Sequence, residues 1–78
     1  MKLGKQEMSF NELQPHQIRV IEEQTQVDGR LKKLSEFLNK GRPENISNDE
    51  WEDLILQEES MDSYNEILKR RINRFLNT

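Results

Sequence analysis

The 78-residue chain has no cysteine, a single histidine, two prolines and three glycines, and its aromatic residues are one tryptophan, one tyrosine and three phenylalanines. Without cysteine there are no disulfide staples and no thiolate metal sites. His16 alone offers one imidazole, too few ligands for zinc. No apolar run approaches the ~18 residues that suggest a membrane span, and no secretory leader pattern is visible. Membrane association is therefore not expected, and a cytoplasmic location is. Gly4, Gly29 and Gly41 stand alone, so no glycine-rich phosphate loop is present. Ser9, Ser35, Ser47, Ser60 and Ser63 have no nucleophile motif around them. The carboxylates read as solvated helix faces rather than catalytic pairs. An enzyme is not expected, and neither is a cofactor.

Charge sets a second limit. Fifteen acidic residues against twelve basic ones leave a net charge of −3 and a pI near 5.2. Such a chain is a poor general partner for duplex nucleic acid. Charged residues make up 35% and apolar ones 32%, a polar balance that would suit disorder if the apolar residues were scattered. They are periodic instead.

Val20, Val27, Leu31, Leu34 and Leu38 keep a three-and-four spacing, with Gln24 at one place of the stripe. Trp51, Leu54, Met61, Leu68, Ile72 and Phe75 repeat the pattern, with Glu58 and Asn65 at two places. This spacing puts one side of each helix against a partner helix. Between the stripes lies Gly41-Arg42-Pro43-Glu44-Asn45-Ile46-Ser47. Gly41 suits the residue just beyond a helix, and Pro43 prevents continuation. Ser47-Asn48-Asp49-Glu50 reads as a capping box that opens the second helix. Ser9-Phe10-Asn11-Glu12 reads as another, so a short helical turn and a kink at Pro15 are expected before the first long helix.

The expected fold is all-α: an antiparallel two-helix hairpin with a short N-terminal helical segment, assembling as a homo-oligomer. Residues 1–8 form a flexible tail, and residues 9–78 one domain with helices at about 15–39 and 48–76. Equal distances from the loop set Leu38 against Leu54, Leu31 against Met61 and Val20 against Ile72. Asn65 then faces Val27, and Glu58 lies near Leu34. Below ~70–80 residues one core rarely supplies more than ~3–5 kcal/mol. With disulfides and metals excluded, oligomerisation is the remaining support. Ile18, Ile21, Phe37, Ile55, Tyr64 and Ile67 widen the stripes and offer contacts between hairpins. Trp51, Tyr64 and Phe75 sit at helix-facing positions and are expected in the core.

Arg30 and Lys33 share a face of the first helix. Arg70, Arg71 and Arg74 cluster near the end of the second, and the antiparallel register brings them toward Arg19. Each cluster alone reads as a solvated surface. Symmetric assembly would bring copies of a cluster together, and guanidinium groups hold phosphates bidentately. Phe10 and His16 lie before and at the start of the first helix, where either side chain can stack on a base. Gly29 interrupts the first helix at a cost of ~1 kcal/mol relative to alanine. Either packing tolerates that cost or a ligand or second backbone approaches closely there.

Two stretches carry a family resemblance over roughly residues 15–76. One is His16-Gln17-Ile18-Arg19-Val20-Ile21-Glu22-Glu23 with Val27-Asp28-Gly29-Arg30-Leu31-Lys32-Lys33-Leu34 and Phe37-Leu38. The other is Met61-Asp62-Ser63-Tyr64-Asn65-Glu66-Ile67-Leu68 with Arg71-Ile72-Asn73-Arg74-Phe75. The chain resembles the hairpin domain of phage anti-CBASS and anti-Thoeris cyclic-nucleotide sponges. That resemblance implies a non-catalytic protein that assembles as a homohexamer and traps cyclic di- or trinucleotides between subunits. It implies an anti-defence role in the cytoplasm of an infected bacterial host, where the host effector is starved of its activator. It also implies base stacking and phosphate contacts from the first helix, with His16 at an aromatic-favouring place and Arg30 at a basic one. His16 stands where tyrosine is more common, and Gly29 where a larger residue is usual. The expected ligand-binding residues are His16, Arg19, Arg30, Lys33, Phe10, Arg71 and Arg74. The competing reading is a small helical adaptor that docks on a host protein through an amphipathic face.

Overall fold

The computed structural model describes residues 12–77. The expected N-terminal tail, most of the Ser9–Glu12 capping box and Phe10 lie outside the described residues. Two helices pack side by side: α1 covers Pro15–Asn39 and α2 covers Asn48–Leu76. Both are rich in leucine, glutamate, glutamine, lysine and arginine, which lose little rotamer freedom in a helix. α2 runs through its 29 residues without a break.

Pro15 opens α1 at its first position rather than kinking a longer helix. A proline there gives up only an N–H that would lack an intrahelical partner anyway. Gln14 is the N-cap, and its N–H donates to Gln17 Oε1 at 2.9 Å. At the far end Lys40 N–H donates to Phe37 O at 3.2 Å and Gly41 N–H to Leu38 O at 3.1 Å. Gly41 has φ +91°, a left-handed conformation that suits glycine. In the connection, Arg42 Nη1 donates to Ile46 O at 2.5 Å, and Ile46 N–H donates to Pro43 O at 3.2 Å. Ser47 caps α2 by accepting from Glu50 N–H at 3.1 Å. Asp49 and Glu50 in its first turn favour the helix dipole.

The seam is narrow. Buried apolar residues are Leu13, Val20, Val27 and Leu68. Ile72 and Phe75 pack against the cluster of Val20, Val27 and Leu68. Trp51 and Phe75 are half-buried, but Tyr64 is exposed, so it is not the core residue its spacing suggested. Trp51 meets Phe37 near the loop, with ring centroids 5.8 Å apart.

Cross-helix hydrogen bonds report the register. Asn65, only 2% exposed, sits between two residues of α1. It accepts from Gln24 Nε2 at 3.1 Å and donates through Nδ2 to Asp28 Oδ1 at 3.1 Å. Its two partners flank the buried Val27 in sequence. Ser35 Oγ donates to Glu58 Oε2 at 2.5 Å. These partners fall close to the pairing that equal distances from the loop require. The polar places in the two apolar stripes thus bond to residues on the facing helix.

Candidate anion-binding site

The antiparallel hairpin brings the start of α1 against the end of α2 at its open end. His16, Gln17, Arg71, Arg74 and Phe75 line one cleft there. Arg19, Glu23, Tyr64 and Arg71 line the next, with Val20 and Leu68 at its base. Arg71 belongs to both. The reason is local: Arg71 and Phe75 are one turn apart on α2, and His16, Arg19 and Glu23 succeed one another at three and four residues on α1. Four of the expected site residues, His16, Arg19, Arg71 and Arg74, therefore converge.

None of the three arginines forms an ion pair among the described residues. The ion pairs there are Lys32 with Asp28 and Lys69 with Glu66. Glu23, which lines the second cleft, accepts from the Tyr64 hydroxyl at 3.2 Å. Loss of surrounding water, then that carboxylate, pushes the Tyr64 phenol above its usual range. The phenol is therefore protonated and a donor at neutral pH. The open end thus offers three guanidinium groups, an imidazole and a phenylalanine edge. That set can hold phosphate oxygens and flank a planar base.

Arg30 and Lys33 do not join this group. Arg30 is fourteen residues from His16 on α1, roughly 21 Å along the axis. Both are exposed. A third cleft nearer the loop is lined by Leu31, Ser35, Glu58, Glu59 and Asp62, and its acids disfavour an anion. No group of three or more metal-ligating side chains occurs among the described residues. No helix of the described residues is long and apolar enough to cross a membrane.

Gln17 and Phe75 are site-lining residues that the sequence reading did not single out. Phe75 was assigned to the core by its stripe position, and it serves both, half-buried against the seam with an edge in the cleft. Its position one turn after Arg71 was the available signal.

The Sequestin family model matches residues 14–74 of the chain. The chain belongs to the Sequestin family. The match takes in both helices almost entirely, including every residue of the open-end clefts except Phe75. No curated protein and no solved structure matches the chain. The Sequestin name suggests sequestration, a binding role rather than a catalytic one.

Proposed function

We propose that this Sequestin protein holds a cyclic oligonucleotide second messenger, a cyclic di- or trinucleotide, and returns it uncleaved. In that reading it is a phage anti-defence protein of the infected bacterial cytoplasm, acting as a homo-oligomer, with a hexamer as the expected assembly. The observation that carries the ligand class is the convergence of Arg19, Arg71 and Arg74 with His16 and Phe75. An acidic protein with net charge −3 has three unpaired guanidinium groups at one end. Phosphodiesters satisfy guanidinium forks, and a flat base satisfies the ring edges.

Titration calorimetry against a panel of cyclic di- and trinucleotides tests this. At least one member is expected to bind, and Arg71→Ala is expected to weaken it by about ten- to a hundredfold, the loss of one charge-assisted hydrogen bond at ~1.5–3 kcal/mol. Arg30→Ala is informative in another way. Arg30 weakens binding only if a second copy delivers it to the ligand, because its own chain leaves it far from His16. Silence across the panel would reject the proposal and favour the adaptor reading.

A further inference from the structure

Glu23 is the one acid in a basic cleft. It shares that cleft with Arg19 and Arg71, with Val20 and Leu68 at the base. Among the described residues it forms no ion pair with either arginine. Its Oε2 accepts instead from the Tyr64 hydroxyl of the facing helix at 3.2 Å. That bond ties the carboxylate across the hairpin to a neutral donor. A carboxylate has roughly four acceptor positions, and the phenol occupies a single one. Glu23 is exposed, so a ligand in the cleft can reach the others.

A carboxylate beside a phosphate site repels phosphate and attracts only a part of the ligand that donates. In a cyclic oligonucleotide the donors are ribose hydroxyls and the pairing edges of the bases. Guanine alone presents two donors side by side on that edge, its N1–H and its N2 amino group. Adenine sets its N6 amino group beside the acceptor N1, and cytosine sets its N4 amino group beside the acceptor N3. Uracil has one N–H between two carbonyls. Two parallel donors match the two oxygens of a carboxylate, as the two arms of a guanidinium do. We infer that Glu23 reads a guanine base, so that the open end prefers cyclic nucleotides containing at least one guanine. This inference rests on the nucleotide reading of the open end and adds which base it selects.

The two clefts then take different bases. Glu23 lies seven residues from His16 on α1, roughly 10 Å along the axis, and Arg71 lines both clefts. A phosphate held by Arg71 sends one nucleoside toward His16 and Phe75 and the other toward Glu23. Stacking on rings tolerates any base, because every base has a π-face. A pair of carboxylate oxygens does not, because an acceptor on the base edge is left facing negative charge. One position is therefore permissive and the other selective. A cyclic dinucleotide with a single guanine satisfies both.

Calorimetry of the full chain with cyclic di-GMP, cyclic GMP–AMP, cyclic di-AMP and cyclic di-IMP tests it. The base of the last is hypoxanthine, which is guanine without the N2 amino group. Both guanine ligands are expected to bind at least about fivefold tighter than cyclic di-AMP, the low end of a bidentate base contact because the cleft is open to water. Cyclic di-IMP, with one donor of the two, is expected to fall between. Glu23→Gln changes the match. Its amide presents one acceptor and one donor, which complement the N6 amino group and N1 of adenine and oppose the N2 amino group of guanine. In that variant cyclic di-AMP is expected to bind as tightly as cyclic di-GMP or tighter. The ratio is the readout, since losing a negative charge favours every anionic ligand alike. Position 23 is exposed, so helical content is expected to stay unchanged. Equal affinity of the parent for guanine and adenine ligands would overturn the inference and leave the nucleotide reading standing. So would a ratio unchanged in Glu23→Gln, or binding confined to ligands without guanine. Silence toward every cyclic nucleotide would overturn both.

Discussion

Asn65 shows how one polar residue in an apolar stripe acquires meaning. Its amide uses both ends, one on Gln24 and the other on Asp28. A leucine at that place would slide along α1 with little penalty, but the amide has partners in one register only. Asn65→Ala removes both bonds and is expected to cost about 1–3 kcal/mol in denaturant unfolding. Asp28 extends the same network. Its hydrogen bond from Lys32, then that from Asn65, holds its carboxyl below the usual carboxylate range. A depressed folded pKa contributes stability above the unfolded value near ~4 and loses it as pH falls through the lower folded value. Acid titration of stability in Asp28→Asn is therefore expected to be flatter below pH ~4 than in the parent, and identical slopes would remove Asp28 from the account. The two glycines behave oppositely. A Cβ at Gly29 would meet nothing within 4 Å. Nothing within the hairpin requires glycine there, so Gly29→Ala is expected to raise stability by ~0.5–1 kcal/mol. Gly41 has φ +91°, so Gly41→Ala is expected to lower stability by about 1–2 kcal/mol. Denaturant midpoints of the two variants should move in opposite directions.

At the scale of the helices, the sequence was most readable where two signals agreed. The stripes through Val20, Val27 and Leu68 and the stop at Gly41-Arg42-Pro43 together define α1, α2 and their antiparallel packing. Periodicity alone did less well. Tyr64 keeps seam-like spacing yet lies outside, because its position is about 100° round the helix from Asn65 and its hydroxyl is drawn to Glu23. Pro15 could open a helix or kink one, and only the backbone shows that it opens α1. The site was partly readable. Arg19, Arg71 and Arg74 follow from the register once the hairpin is accepted. Arg30 and Lys33 follow from face-sharing alone, which places residues on one side but says nothing of how far along the helix they lie from His16.

The described hairpin is long and thin. Its extents are 60 × 20 × 16 Å and its radius of gyration is 17.4 Å, against roughly 11 Å expected for a compact chain of this length. Among the described residues four apolar side chains are buried, and only Val20, Val27 and Leu68 lie on the helices, little for two helices of 25 and 29 residues. Leu68 is the most enclosed at 1% exposure. Leu68→Ala is expected to cost about 2–5 kcal/mol, comparable to everything a lone hairpin core supplies. Circular dichroism should then show loss of cooperative unfolding in dilute solution. The proposed assembly would add stability by mass action, so the melting temperature of the parent is expected to rise with protein concentration. A melt independent of concentration would argue for a self-sufficient monomer.

We propose that the open end captures a cyclic nucleotide and hands it back intact. Dialysing the assembled protein to equilibrium with its tightest calorimetric ligand, then heating it to release what it holds, measures both halves at once. Mass spectrometry of the released material is expected to recover the input ligand unchanged, with Arg71→Ala retaining little. Recovery of a linear or shortened product, or equal retention by Arg71→Ala, would contradict it.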